Sequence, residues 1–425
     1  MLDRNFVNDN LDLIRTALKN RQVKADFLGG FQKLFQQRKD LIKQSDDIKQ
    51  QQNKLSRSIK SKPSVEQIKQ GSLLKQQLKA IKPRLDKVEK DLNQILATIP
   101  NIPADDVPIG KNDEDNQVIR SWGKTPKFDF QPLDHVDLGE KLDLIDIKRA
   151  AKVSGPRFAY FKNQAAVLEM AIMFYVFRKL TQKGFTSMIP PAMIKGEVEW
   201  KTGYTSNKNL DNAYYHFEKD DLVFISSSEH SVAPYHMDEI LDIKNLPLKY
   251  VNFSPCFRRE SGAYGKDTKG AFRVHFFNKV EMIIISPPDT KVSDALTLEL
   301  LSIQEEILQD FGLPYQVMNC CTGDLPQPNR RMYDINSWFS GQNKYREVTS
   351  CSNCTDYQAR RLNIRTKIKG QSKFVHILNA TAVTDRVLIA ILENNQQKDG
   401  SINIPPVLQE LTNFKKILPI DLNSA

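Results

Sequence analysis

The chain has 425 residues, a formal net charge of +10, 26% charged residues and five cysteines. Such a length can bury a large core and form two domains. Five cysteines do not make a disulfide framework at this size. No charged-then-apolar leader and no long apolar run is seen, so neither export nor a membrane span is expected and the chain reads as soluble and cytoplasmic.

The charge is unevenly placed. Residues 1–100 hold 21 Lys and Arg against 11 Asp and Glu, which accounts for the whole excess. The bias is sharpest between Ile48 and Leu85, where Glu66 is the only acid among ten basic residues. Charge runs often mark a solvated helix face. A basic stretch this confined also recruits phosphate backbones through counterion release. The same region has helical periodicity. Leu34, Leu41, Ile48 and Leu55 recur every seven residues, with Phe31, Phe35, Ile42 and Ile59 widening the stripe. Downstream, Leu74, Leu78, Ile81, Leu85, Val88, Leu92 and Ile95 step by four and three. Pro63 prevents helix at the residue before it, so the break falls at 58–64. The pattern predicts two helices of roughly 30 residues, each about 45 Å long, folded back as an antiparallel hairpin. Gly71 and Pro83 interrupt the second, and Pro83 is expected to kink it. A purely structural coiled coil would explain the seam but not the scarcity of acids around the tip.

Residues 101–128 are rich in Pro, Asp, Asn and Gly and read as a linker between an N-terminal unit, 1–100, and a second domain, 129–425. In that domain strand-like runs (222–227, 250–257, 279–286) alternate with helical ones (165–180, 295–311). The organisation is α+β with hairpin connections, not repeating βαβ units. No GxGxxG or GxxxxGK[ST] run occurs, so neither a Rossmann nor a P-loop site is indicated.

Residues 254–281 read SPCFRRESGAYGKDTKGAFRVHFFNKVE. Two apolar and aromatic runs flank a loop of Gly262, Gly265, Lys266, Asp267, Lys269 and Gly270, a strand–loop–strand pattern. Arg258 and Glu260 end the first run; Arg273 and His275 start the second, which Glu281 closes. Guanidinium groups converging on a hairpin suit a polyphosphate, because each binds phosphate oxygens as a fork. Composition alone leaves a charged surface hairpin equally open.

Three further segments carry a resemblance: REVTSCSNCTDYQARRLNIR at 346–365, LNATAVTDRVLIAILEN at 378–394 and GFTSMIPP at 184–191. With the hairpin they resemble the signature motifs of class II aminoacyl-tRNA synthetases, specifically seryl-tRNA synthetase of the bacterial type. The likeness extends through MLDRNFVNDNLDLIRTALKNR, NIPADDVPIGK, DHVDLGEKLDLIDIKRAAKVSGPRF and CTGDL. It implies an antiparallel sheet flanked by helices, preceded by the long helical hairpin, in a homodimer whose interface includes the proline of GFTSMIPP. It implies activation of L-serine by ATP, with Mg2+, followed by transfer to tRNA(Ser), and it admits tRNA(Sec) as a second acceptor.

The resemblance also implies roles. Arg258 would hold the α-phosphate and the substrate carboxylate, with Arg259 beside it. Glu260 would recognise the adenine amino group, Arg273 the γ-phosphate, and Phe277 and Arg386 the two adenine faces. Glu347 and Ser350 would hold magnesium, carboxylate and phosphate oxygens being its usual environment, with Val348 and Thr349 between them on the ATP side. Serine would be held by Ser227, Ser228, Glu229, Glu281, Asn379 and Thr381. A site that hydrogen-bonds the serine hydroxyl rejects alanine, because alanine would leave those groups unpaired. On the arm, Lys49, Lys54, Arg57, Lys60, Lys62, Lys69, Lys75 and Lys79 would meet the tRNA backbone by shape and charge. Cys351 and Cys354 have metal-like spacing, but structural zinc needs four ligands, and the family keeps this motif without zinc, so none is expected.

Four departures stand out. Ser227 replaces the usual threonine; His230 and Ser231 stand where apolar residues are commoner; and Asn336 takes an acidic position in YDINSW. Only four residues separate Thr381 from Arg386, one fewer than in the family. That short interval favours a rival reading, an inactive paralogue with a binding or regulatory role. Retention of Arg258, Glu260, Arg273, Glu281 and Glu347 argues against it. A second rival, an unrelated coiled coil fused to an inert domain, predicts neither the arginine hairpin nor ATP binding.

Overall fold

The computed structural model of the chain describes residues 1–204, 214–260 and 270–419. The chain divides into two compact units, Met1–Pro100 and Asn101–Ala425.

In the first unit, two helices form an antiparallel hairpin: α1 (Leu28–Ser58) and α2 (Val65–Thr98). The turn falls where Pro63 predicts it. Ser64 starts α2 with a capping box: its hydroxyl accepts the Gln67 N–H at 3.2 Å, and the Gln67 side chain accepts the Ser64 N–H at 2.9 Å. The seam buries Phe31, Leu41, Leu74, Ile81 and Leu92, while Ile48 and Leu55 nearer the tip are half-buried. Arg38 and Glu89 tie the two helices together at 2.9 Å. Helix α2 runs on through Pro83 and includes Gly71. The eight arm residues implied for tRNA are all exposed, and Lys49 pairs only loosely with Asp46, at 3.6 Å.

The second unit is built on an eight-stranded sheet. In chain order its strands are β1 (Gln117–Trp122), β2 (Thr186–Met188), β3 (Leu248–Phe257), β4 (Phe276–Ser286), β5 (Tyr315–Asn319), β6 (Arg331–Phe339), β7 (Lys344–Asn353) and β8 (His376–Thr384). Their spatial order is β1-β5-β6-β7-β8-β4-β3-β2. Every neighbouring pair is antiparallel except β2 with β3. Helices α3 (Asn163–Gln182), α4 (Thr290–Asp310) and α5 (Asp385–Asn394) pack on it in one continuous core that includes Leu168, Ile172, Leu300, Ile307, Val387 and Leu388. Gln304 of α4 fastens helix to sheet by donating to the Ser350 carbonyl at 2.8 Å and the Thr381 carbonyl at 2.7 Å. The predicted α+β class and the helical runs at 165–180 and 295–311 correspond to α3 and α4.

The linker expected at 101–128 is not a free connector. Strand β1 lies inside it and forms the sheet edge, pairing Gln117 with Asn319 through Trp122 with Tyr315. The Trp122 and Tyr315 rings stack with centroids 5.8 Å apart. Ala104 and Val107 are buried against Cys320, Leu325 and Met332, and Asn101 donates to the Pro328 and Cys354 carbonyls at 2.9 Å each. The contacts that order this polar stretch come from parts of the chain far away in sequence, out of reach of local composition.

Candidate active site

The middle strands carry an open cavity, and most of the expected residues line it. On β4 the side chains alternate. Phe277, Lys279 and Glu281 line the cavity, whereas Val280, Met282 and Ile284 enter the core. Strand β8 sets Thr381 directly opposite Glu281, and β7 brings Glu347, Val348, Thr349 and Ser350 to the same wall.

One side of the cavity is cationic. The Arg258 guanidinium sits 5.0 Å over the Phe277 ring, and its Nε donates to the Ser226 carbonyl at 3.2 Å. Its backbone is pinned by His275, whose carbonyl accepts the Arg258 N–H at 2.9 Å. Glu260, three residues past the end of β3, has left-handed backbone, φ 49°, and accepts from Arg273 at 2.8 Å. Arg386 lies 4.6 Å over Phe272 and donates to the Glu347 carboxylate at 3.0 Å. Crowding at the cavity wall opposes ionisation of Glu347, half of whose side chain still meets solvent, but the charge and hydrogen bond of Arg386, with Arg258 and Arg273 behind, keep its carboxyl below the ordinary glutamate range.

The other side is a buried network of acids and hydroxyls. Glu281 Oε2 accepts from the Ser227 hydroxyl at 2.7 Å, the Ser228 hydroxyl at 2.5 Å and the Glu229 N–H at 3.0 Å; Oε1 accepts from Lys279 at 2.9 Å. Burial pushes the Glu281 carboxyl up, yet Lys279 and the two hydroxyls outweigh it and leave the group below its ordinary value. Glu229 accepts from Tyr204 and Gln358 at 2.7 Å each, and burial holds its carboxyl above the usual range. Behind it, His230 pairs with Glu199 at 2.8 Å and stacks on Tyr204 at 4.9 Å.

Three expectations need qualification. Arg259 does not line the cavity; its guanidinium lies 5.7 Å over the Tyr215 ring. Ser228 is behind the wall, fully buried on Glu281. The loop residues Gly262, Gly265, Lys266, Asp267 and Lys269 lie outside the described residues. The short interval before Arg386 has a simple basis: β8 passes straight into α5, and Thr384 caps the helix by accepting the Arg386 N–H at 3.3 Å. Arg386 therefore reaches the cavity without a loop. Cys351 and Cys354 are buried and turn to different partners, the Thr297 carbonyl at 3.5 Å and Asn329 at 3.3 Å.

Other lining residues were not singled out from sequence. Lys279 could have been, since it shares the strand face of Phe277 and Glu281 at a spacing of two. Tyr204 and Tyr214 carry no local signal; distant packing brings them in, and His230, noted in the sequence only as a departure, joins the wall beside Glu229.

Residues 215–395 match the model of the tRNA synthetase class II core domain (G, H, P, S and T), and residues 1–103 match the seryl-tRNA synthetase N-terminal domain. A serine--tRNA ligase of Treponema denticola is 41% identical, covering 98% of this chain and 100% of that protein. The chain belongs to the seryl-tRNA synthetase family. A family member from Pyrococcus horikoshii is 39% identical over 99% of this chain and 98% of its own length. Its crystal structure, complexed with ATP, has a TM-score of 0.92 at 38% identity, covering 99% of this chain and 100% of that one. A cytoplasmic serine-tRNA ligase from Naegleria fowleri, in complex with AMP, gives 0.89 at 30% identity and 99% coverage of both chains. These seryl-tRNA synthetases include archaeal as well as bacterial members, so membership stands at the family level and does not extend to the bacterial type.

Proposed function

We propose that this chain ligates L-serine to tRNA(Ser) in two steps, using ATP. The serine carboxylate attacks the α-phosphate, giving seryl-adenylate and pyrophosphate; the terminal ribose hydroxyl of tRNA then takes the seryl group and releases AMP. The observation that carries the reading is one cavity with two chemistries: guanidinium groups of Arg258, Arg273 and Arg386 on one side, the buried Ser227–Glu229–Glu281 network on the other.

Phosphoryl transfer needs positioning and cancellation of charge more than covalent help. Arg258 serves both reactants, binding the α-phosphate and the serine carboxylate as a fork. Arg273 takes the γ-phosphate, Glu260 reads the adenine amino group, and Phe277 and Arg386 face the two sides of the base. On the serine side, Glu281 and Glu229 attract the ammonium group, while Ser227, Asn379 and Thr381 supply hydrogen bonds for the hydroxyl. Ser228 acts behind them by holding Glu281. Arg259, off the cavity, has no direct role in this scheme.

The donor set fits Mg2+. Glu347 is kept ionised and half its side chain is reachable, and Ser350 adds a hydroxyl on the same wall. Glu347 and Ser350 would hold the ion, which screens the phosphate charges when bound.

The exposed basic face of the arm suits the backbone of tRNA(Ser), and of tRNA(Sec) where the host has one. On α3, Val167, Met170 and Phe174 form an exposed apolar face, and Ile189 after β2 is 81% exposed. This supports a homodimer meeting across these residues. Among the described residues no helix is long and apolar enough to cross a membrane, and a cytoplasmic location is part of this reading.

The test is serine-dependent exchange of labelled pyrophosphate into ATP. The protein should catalyse it, and Arg258→Ala should lower it about a hundredfold or more while leaving the fold intact. Absence of exchange in the wild type would favour the inactive paralogue; near-normal exchange in the variant would remove Arg258 from the mechanism.

A further inference from the structure

A second cavity lies beside the first, lined by Tyr160, Glu169, Phe276, Asn278 and Asp385 among others. Glu169 comes from α3 and Asp385 is the first residue of α5; they are 7% and 5% exposed. Asn278 of β4 joins them. Its side-chain amide donates to Glu169 Oε1 at 2.6 Å, and its backbone N–H donates to Asp385 Oδ1 at 3.2 Å. Both carboxyls are thus gathered on one asparagine. Burial favours their protonated forms: Glu169 is raised, and Asp385, with the Glu169 charge adding to burial, is raised well above the usual aspartate range. Tyr160 is the other titratable side chain on this cavity, whereas Lys279 and Arg386, their sequence neighbours, line the main one.

Nothing in the proposed mechanism uses this pair, yet its position is pointed. Asn278 is flanked by Phe277 and Lys279, and Asp385 directly precedes Arg386. Since β8 enters α5 without a loop, the anchor of Asp385 fixes the first helical turn, and with it the point from which Arg386 reaches Glu347.

We propose that Glu169 and Asp385 are positioning residues for nucleotide binding: through Asn278 they lock the first turn of α5 to β4 and so set the separation of Arg386 from Phe277. The inference rests on the assignment of those two groups to the adenine faces. The proton is part of the device, because two ionised carboxylates gathered on one asparagine would repel and release the helix end. The lock therefore holds below the raised pKa of the pair and weakens as pH climbs through it.

The experiment measures serine-dependent pyrophosphate exchange by full-length Asp385→Ala, Glu169→Ala and Asp385→Asn proteins. In both alanine variants the KM for ATP should rise about tenfold, the loss of one or two buried hydrogen bonds, with the KM for serine within about twofold of wild type. Asp385→Asn should restore the ATP requirement, since an amide can donate to Glu169 and accept from Asn278. The wild-type KM for ATP should rise from neutral to alkaline pH, and Asp385→Asn should flatten that rise. Equal changes in both KM values, or a loss of active protein with KM values unchanged, would make the pair purely structural and overturn the proposal. If Asp385→Ala fails to fold, Glu169→Ala and the pH profile of Asp385→Asn decide. Failure of wild-type exchange would reject the functional reading itself; normal wild-type exchange with an unchanged ATP requirement in the variants would reject this inference alone.

Discussion

His230 shows how a single residue can govern a wall of the site. It is fully enclosed by Glu199, Tyr204 and Tyr214. Burial alone would lower its pKa; the facing Glu199 carboxylate, helped by Glu229 and Glu281, raises it instead. A histidine held charged in this way contributes stability that is fully present below its unfolded pKa, about 6.5, and is lost as pH rises through the higher folded value. His230→Gln should thus cost about 3–5 kcal/mol in acid solution, as breaking a buried ion pair does. The deficit should shrink as pH rises through the histidine's raised value. Urea unfolding of both proteins across that range checks the sign, and a deficit independent of pH would mean that His230 acts by shape alone. Because Tyr204 joins His230 to Glu229, the KM for serine should be raised in the variant as well.

The arm and the sheet differ in how far they could be read before folding. The seam of α1 and α2 was legible because leucines seven apart need no knowledge of anything else in the chain. So was the Arg258–Arg273 hairpin, where charge and β-branched or aromatic runs alternate within 28 residues. Strand β1 was not legible: a polar, Pro-flanked stretch becomes strand only through β5, two hundred residues on. Tyr204 and Tyr214 escaped for the same reason, while Ser228 and Arg259 were placed on the site by motif although their side chains turn elsewhere. At the scale of the arm, deletion of residues 31–97 with the ends rejoined by a short flexible linker should separate the two half-reactions. Every residue assigned to ATP or serine lies beyond Ser226, so pyrophosphate exchange should persist. Charging of tRNA should fall steeply. Neutralising Lys49, Lys54, Arg57, Lys60, Lys62, Lys69, Lys75, Lys79, Lys82 and Arg84 in the intact protein should flatten the salt dependence of tRNA binding by roughly one log–log unit for each tRNA phosphate left without a cationic partner. Full charging by the truncated protein would reduce the arm to a structural element.

For the whole molecule the question is what covers α3. Its inner face supplies Leu168, Ile172 and Val176 to the core, while Val167, Met170 and Phe174 stay outside at 45%, 62% and 54% exposure. A helix apolar on both faces is buried on both in the working molecule. Under the homodimer proposed above, a second copy covers it, since one apolar patch on a two-fold axis is complementary to itself. A lasting interface needs at least about 1,200 Å², so neighbouring exposed groups such as Ile189 must join it. The face is coupled to the site from within: α3 carries Glu169, and β2 pairs in parallel with β3, which delivers Arg258 at its end. Met170→Glu combined with Phe174→Glu should give a monomer by sedimentation at micromolar concentration, with thermal stability close to wild type because neither side chain belongs to the core. Pyrophosphate exchange by that monomer should fall, as the support beneath β3 and Glu169 loosens. A variant that sediments as a dimer would place the interface elsewhere. A monomer with undiminished exchange would show that each catalytic unit is self-sufficient, leaving the second copy a role only in binding tRNA.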